Sequence, residues 1–181
     1  MLIDDGNFEQ MIKKMGINSI EFIPAKKGHT RTVTSAARAL QLNQEDSWRI
    51  AKTLVWREEL ASSIKRFYIF CSGTNRVDQF YISKLAEEHW KSGILKPATP
   101  DEVILSTGFS IGAVAPFPKA IPLSSFEWFG LFDSKLFSLG KGIDNIVFVS
   151  GPRPDGLYSV LINELWEAWA NWVSNKRVIR W

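Results

Sequence analysis

Short apolar runs follow one another in the second half of the chain, with no helical pattern between them. Glycine or aspartate turns separate these runs, which read KAIPLS, KLFSLG, NIVFVSG and LYSVLI. Segments of this length and composition are typical of β-strands. Across the whole chain, predicted strands outnumber predicted helices, and several strands are adjacent. The pattern therefore predicts an α+β fold with a mixed, largely antiparallel sheet, and it argues against a doubly wound fold.

The composition is that of a single globular domain. The 181 residues suffice for a sizeable core, and their net charge of +3 is compatible with a nucleic-acid partner but too small to demonstrate one. The single cysteine excludes an internal disulfide framework and fits a reducing compartment, so we expect a cytoplasmic protein. One cysteine and two histidines argue against a zinc site, and we expect no metal and no cofactor. No apolar run is long enough to cross a bilayer, so we expect no membrane partner.

The segment LSTGFSIGAVAPFP, residues 105–118, predicts a loop of fixed shape whose chemistry is mostly that of backbone amides and carbonyls. The preceding residues predict a helix over 100–107, with Thr99 as its N-cap in a capping box and Gly108 as its end. The hydroxyls of Ser106 and Thr107 could meet a ligand, although bonding to the backbone is their commoner use. An ordinary helix exit followed by a turn explains the same residues.

Lys52 is the most informative single residue. In the strand RIAKTLVW, the period of two places Lys52 on one face with Ile50, Leu54 and Trp56. A lysine on such an apolar face either extends to solvent at the end of the strand or is held inward for a purpose. The pattern leaves both interpretations open.

The other reactive side chains have structural explanations. Cys71 lies in the continuous apolar run FYIFCSG, which predicts a central strand, and we interpret the thiol as a packing group and not a nucleophile. Asp78 suits a helix cap better than a general base. The chain also lacks a Walker A loop, a GxGxxG turn, an HExxH helix and a GxSxG elbow. Its chemistry must then need little acid–base machinery, and electrostatic stabilisation by backbone donors would suffice.

The order of these segments resembles the YbaK/ProX family, the aminoacyl-tRNA deacylases related to the editing domain of bacterial prolyl-tRNA synthetases. The resemblance rests on TRTVTSAARALQL, IAKTLVW, FYIFCSGTNRVDQFYISKLAEE, ATPDEVILSTGFSIGAVAPF and NIVFVSG, in that order. Its most specific parts are Lys52-Thr53 and the Gly-x-x-x-Pro loop from Gly112 to Pro116. It covers about residues 19–161 of a single domain that spans 1–181.

This resemblance implies a barrel-like α+β domain with surrounding helices that hydrolyses the ester between a wrong amino acid and its tRNA. Lys52 would contact the terminal nucleotide or the aminoacyl end, and Gly112 with its loop would hold the aminoacyl group and the attacking water. The expected substrate contacts are Thr53, Ser106, Thr107, Gly108, Phe109, Ala113 and Pro116. Ala113 stands where the family often has a second glycine, so the resemblance does not fix which amino acid is removed.

The expected partner is the acceptor end of a tRNA that carries a non-cognate amino acid, together with an aminoacyl-tRNA synthetase as a further candidate, in a monomer or a homodimer. Two alternatives remain open: a module that binds tRNA or an aminoacyl nucleotide without turnover, and an interaction protein that docks on a synthetase. The second would use the tryptophan-rich helix that begins near Asn163. The basic tail NKRVIRW after it could contact RNA phosphates or be frayed.

Overall fold

The computed structural model describes residues 5–25, 32–60, 63–118, 126–137, 145–153 and 155–181. The helices are α1 (Asp5–Lys14), α2 (Val33–Ala39), α3 (Gln79–Trp90), α4 (Pro100–Thr107) and α5 (Ile162–Val173). The strands are β1 (Glu21–Pro24), β2 (Ala51–Glu58), β3 (Lys65–Ser72), β4 (Leu95–Pro97), β5 (Glu127–Phe132), β6 (Ile146–Val149), β7 (Gly156–Leu161) and β8 (Val178–Arg180). Short 3-10 turns occupy Gln44–Arg49, Ser134–Phe137 and Asn175–Arg177. No helix in the described part of the chain is long and apolar enough to cross a membrane.

The strands form two sheets in one α+β domain. The larger sheet has the order β4-β2-β3-β5-β8 and the smaller has the order β1-β7-β6. Four strand pairs are antiparallel, whereas β3–β5 and β5–β8 are parallel. Within the described residues, one bridge between Ile50 and Phe148 links the two sheets, and they do not close into a barrel. The predicted mixed, largely antiparallel α+β fold is therefore confirmed, with two sheets in place of a barrel-like one.

Strand β3 lies at the centre of the larger sheet and is buried on both faces. Every residue from Arg66 to Ser72 is buried, which explains why this segment reads as a continuous apolar run and not as an alternating one. On one face, Tyr68 and Phe70 pack in the main core against α5. On the other face, Phe67 and Ile69 pack in a second cluster that includes residues of α3.

The structure of the second half adds to or corrects the sequence analysis in three places. The segment 134–137 is a 3-10 turn and not the start of a strand, and Leu136 is buried in the core. Strand β5 was not expected, although it pairs in parallel with the central strand β3. The tail is not frayed over 178–180, since β8 pairs in parallel with β5 at the edge of the sheet. The expected strand KAIPLS lies outside the described residues.

Helix α5 anchors the loop that follows α4. The indole Nε1 of Trp169, which is fully buried, donates a hydrogen bond to the carbonyl oxygen of Pro116 at 2.9 Å. The Trp169 ring also stacks on the ring of Phe117, with centroids 5.4 Å apart. Trp172 lies one turn further along the same helix, and its buried Nε1 has no hydrogen-bond partner in the described part of the chain.

We expect Trp169→Phe to destabilise the protein more than Trp172→Phe does. Both changes remove a similar volume, but only the first leaves a buried carbonyl unpaired, which costs about 1–3 kcal/mol. Chemical denaturation of both variants measures the difference in the free energy of unfolding. Equal losses for the two variants would show that the Pro116 hydrogen bond does not anchor the loop.

Candidate functional site

A cavity of about 410 Å³ lies along one edge of β2, between that strand, helix α2, the start of α4 and the loop that follows α4. Lys52 and Gly112, which are 60 positions apart in the sequence, both line it. The other lining residues are Thr32, Val33, Ile50, Ala51, Thr53, Leu54, Val55, Trp56, Pro97, Ala98, Val103, Ile111, Val114, Ser150 and Leu157. The lysine and the glycine loop singled out in the sequence therefore share one cavity.

The lining is largely apolar. Among the described residues that form it, Lys52 carries the only charge, and Thr32, Thr53 and Ser150 carry hydroxyl groups, of which that of Thr53 is buried. None of these lining residues is an aspartate, glutamate, histidine or cysteine. Such a cavity can attract an anion and orient a polar group, but its side chains offer no general base.

Lys52 is half-buried, and its amine is held by a main-chain carbonyl. The Nζ atom donates a hydrogen bond to the carbonyl oxygen of Asn75 at 2.7 Å. Asn75 lies in the turn between β3 and α3, on the side of the sheet toward which Lys52 extends. Of the two interpretations left open by the strand pattern, extension to solvent and retention for a purpose, the bonded amine favours retention, and the purpose stays a prediction.

Asp133 fixes the turn that carries this carbonyl. Its Oδ2 atom accepts hydrogen bonds from the side-chain amide of Asn75 at 2.6 Å and from the backbone amide of Ser72 at 3.0 Å. Its Oδ1 atom accepts from the backbone amide of Lys135 at 2.9 Å. The residue is only 3% exposed, so its carboxylate is stabilised by these donors and not by water. A chain of contacts thus runs from Asp133 through Asn75 to Lys52.

The loop after α4 is anchored at one end and accessible at the other. A turn closes through a hydrogen bond from the Ala113 amide to the Ser110 carbonyl at 3.0 Å, and Gly112 in this turn has a φ of 84°. That backbone conformation favours glycine, although a Cβ atom at this position would meet no other atom. Gly112 is exposed, and its N–H has no partner among the described residues. Pro116, by contrast, is buried and bonded to Trp169.

Helix α4 is held beside the cavity by its own cap and by an ion pair. The Thr99 hydroxyl accepts from the Glu102 amide, and the Glu102 carboxylate accepts from the Thr99 amide at 2.8 Å, which completes the expected capping box. The other oxygen of Glu102 lies 2.6 Å from Nε of Arg57 on β2. The helix therefore begins against β2, at the edge where the cavity opens.

Six of the expected site residues do not line the cavity: Ser106, Thr107, Gly108, Phe109, Ala113 and Pro116. The hydroxyls of Ser106 and Thr107 bond to the Glu102 and Val103 carbonyls of their own helix, at 2.7 Å each. Phe109 is buried in the main core against Phe8. Their expected substrate contacts stay predictions, and the contacts that the structure gives these six are those of a helix end and a loop anchor.

Asn75 and Asp133 were missed in the sequence. Asn75 reads as an ordinary turn residue, and Asp133 follows the strand β5, which was itself not recognised. The available signal was the single acidic residue at the end of the apolar run WFGLFD. A buried carboxylate at the end of a strand needs donors, but the sequence does not show that these come from a turn 58 residues earlier.

Cys71 lies opposite Lys52 in the β2–β3 ladder and is fully buried. Burial raises the pKa of its thiol to about 11 from an ordinary value of 9.0, while the Lys52 charge lowers it and the Asp133 charge raises it further. The thiol is therefore protonated at neutral pH, and it makes a poor nucleophile in this state.

Solved structures of other proteins share this fold, among them the following three. A proposed trans-editing enzyme for prolyl-tRNA synthetase aligns over 99% of this chain and 98% of its own, with a TM-score of 0.71 and 23% identity. A structure from the computational grafting of linear epitopes onto scaffold proteins aligns over 96% and 93%, with a TM-score of 0.69 and 21% identity. A hypothetical protein aligns over 96% of both chains, with a TM-score of 0.69 and 24% identity. No protein-family model and no curated protein matches the sequence.

We expect Asp133→Asn to loosen the turn and release Lys52. The amide supplies one acceptor oxygen where the carboxylate supplies two, so the free energy of unfolding should fall by about 1–3 kcal/mol. Acetylation of Lys52 by an amine reagent, followed by mass spectrometry, should become faster, while acetylation of the exposed Lys84 stays constant. Asp101→Asn, at an exposed position of α4, serves as the control variant. If Lys52 is acetylated at the same rate in Asp133→Asn as in the wild type, Asp133 does not position Lys52.

We also expect Cys71 to make stability depend on pH in the alkaline range. Its thiol has a higher pKa in the folded state than in the unfolded state, so its contribution is intact below about pH 9 and is lost as the pH rises toward about 11. The stability penalty of Cys71→Ala should therefore shrink across this interval. Urea denaturation of both proteins from pH 8 to about pH 10.5 measures it, and a constant penalty would contradict the raised pKa.

Proposed function

We propose that the chain hydrolyses the ester bond between an amino acid and the 3′ end of a tRNA. The observation that carries this proposal is the shared cavity, whose described lining residues include one positively charged side chain and one free loop amide but no aspartate, glutamate, histidine or cysteine. The fold shared with the proposed trans-editing enzyme supports it. So does the resemblance of Lys52-Thr53 and of the Gly112–Pro116 loop to the YbaK/ProX deacylases.

The reaction suits such a cavity because its substrate is already activated. A water oxygen attacks the ester carbonyl carbon, the carbon–oxygen bond to the ribose breaks, and the ribose oxygen takes up a proton. The products are a free tRNA hydroxyl and an amino acid with a free carboxylate. Orientation of the water and stabilisation of the oxyanion can accelerate this step without a dedicated side-chain base.

Three residues in or behind the cavity have a role in this proposal. The Lys52 ammonium anchors the negatively charged terminal nucleotide or polarises the ester, and its charge is not neutralised by a carboxylate within the described residues. The N–H of Gly112 donates to the aminoacyl group. Asp133 acts as a positioning residue, because it reaches Lys52 only through the Asn75 turn. The mild positive charge of the chain favours the approach of RNA.

Hydrolysis of a panel of mischarged tRNAs tests this proposal. We expect Lys52→Met to reduce kcat/KM for the best substrate about 100-fold, as is typical when one electrostatic contact of a transition state is lost. Lys84→Met, which removes an exposed lysine of α3, should leave the rate unchanged. If the wild type cleaves no aminoacyl-tRNA faster than its spontaneous rate, the protein is not a deacylase. Tight tRNA binding with an unchanged ester lifetime would then identify a binding module.

Gly112→Ala tests the loop. An alanine is strained at a φ of 84°, by about 1–2 kcal/mol, so the turn should shift and hydrolysis should slow. Gly93→Ala is the matched control, because a Cβ at Gly93 also meets no atom and its φ lies outside the left-handed range. Circular dichroism confirms that both variants fold. If Gly112→Ala and Gly93→Ala hydrolyse the substrate at equal rates, the loop conformation does not contribute to catalysis.

A further inference from the structure

Strand β2 has an open edge beside the cavity. In an antiparallel ladder, the N–H and C=O of one residue face one side of the strand, and those of the next residue face the opposite side. The Gly73 amide donates to the Ile50 carbonyl at 2.7 Å on the β3 side, whereas the Ala98 amide donates to the Val55 carbonyl at 3.0 Å on the β4 side. The residues between them alternate in the same way, so the backbone groups of Thr53 face away from β3.

This open edge is short and has Thr53 at its middle. At one end, the Ala98–Val55 hydrogen bond closes it, and at the other end Ile50 forms the bridge to Phe148 in the smaller sheet. On this side, the N–H and C=O of Thr53 have no partner among the described residues. Thr53 itself lines the cavity.

The side chain of Thr53 does not supply the contact that the sequence suggested. Its hydroxyl oxygen is buried and has no hydrogen-bond partner among the described residues, so it does not face the open space of the cavity. The polar groups that Thr53 can offer to a ligand are therefore its backbone N–H and C=O. A donor and an acceptor fixed side by side on a strand edge match another residue-like unit, as in strand pairing.

We propose that the open edge at Thr53 binds the α-aminoacyl unit of the substrate as a one-residue strand partner. The Thr53 N–H donates to the aminoacyl carbonyl oxygen, and the Thr53 C=O accepts from the α-ammonium group. The proposal rests on the proposed function and extends it: the backbone of Thr53 recognises the α-amine and also stabilises the oxyanion that forms on the same carbonyl. Acyl groups that lack an α-amine are then poor ligands.

Nuclear magnetic resonance of the nitrogen-15-labelled protein tests this directly. The ligands are adenosine analogues with an alanyl, seryl or valyl group joined to the 3′ position by an amide, which is not hydrolysed. We expect at least one of them to bind and to slow the solvent exchange of the Thr53 amide proton about tenfold, as expected for a newly formed hydrogen bond. The amide of Leu54, which faces β3, should exchange slowly with or without ligand and serves as the internal control.

A matched ligand tests the α-amine. The lactoyl analogue carries a hydroxyl where the alanyl analogue carries an amine, so it should bind about tenfold more weakly. Replacement of the backbone amide at position 53 by an ester removes the N–H donor but keeps the side chain. It should lower kcat for aminoacyl-tRNA about 100-fold, in contrast to the same replacement at Leu54.

The outcomes separate this inference from the proposed function. Binding without protection of the Thr53 amide, or no binding by any of the three analogues, overturns the inference even if the wild type hydrolyses aminoacyl-tRNA. If the Thr53 amide is protected but the protein hydrolyses no aminoacyl ester, the inference is supported and the proposed deacylase activity is contradicted. Equal binding of the lactoyl and alanyl analogues would show that the Thr53 carbonyl does not recognise the amine.

Discussion

The pairing of β2 is continuous on one side and interrupted on the other, and the cavity exists because of this interruption. Strand β4 pairs with β2 only over three residues before the chain turns into α4. The capping box at Thr99 starts that helix and so ends the strand pairing. The ion pair between Arg57 and Glu102 then holds the start of the helix against β2. A local helix-start signal thus determines where a sheet edge stays open.

The electrostatics of the cavity follow from how its cation is held. A carboxylate partner would neutralise Lys52, but the structure provides the Asn75 carbonyl, a neutral acceptor. The nearby carboxylate of Asp133 is occupied by two backbone amides and one side-chain amide. The positive charge of Lys52 therefore remains available to an incoming anion, while its position is fixed by a buried network. Such a network is stable only when every member is satisfied, and the Asp133 donors satisfy it.

Local signals in the sequence predicted the elements that depend on local interactions. The capping box of α4, its end at Gly108 and the Asp78 cap of α3 all occur as expected, because each is formed by residues at most nine positions apart. Strand β5 was missed because Gly130 in its centre reads as a break. The structure explains this glycine: a Cβ there would lie 3.1 Å from the ring of Trp169, so the helix packs where a side chain would stand. That contact joins residues 39 positions apart and leaves no local signal.

The cavity shows the same difference between features formed by neighbouring residues and features formed by residues far apart in the sequence. The sequence analysis identified Lys52 and Gly112 because a lysine on an apolar strand face and a glycine in a loop can be recognised from the amino-acid sequence. It did not reveal Asn75, Asp133 or the open backbone at Thr53, because these depend on register and on the point where β4 stops pairing. Backbone donors and acceptors are common to all residues except proline, which lacks the donor, so a cavity built on them can keep its chemistry while its side chains change. Solved structures share this fold at 21–24% identity, and chemistry carried by the backbone groups of a strand is invisible to a search for side-chain motifs.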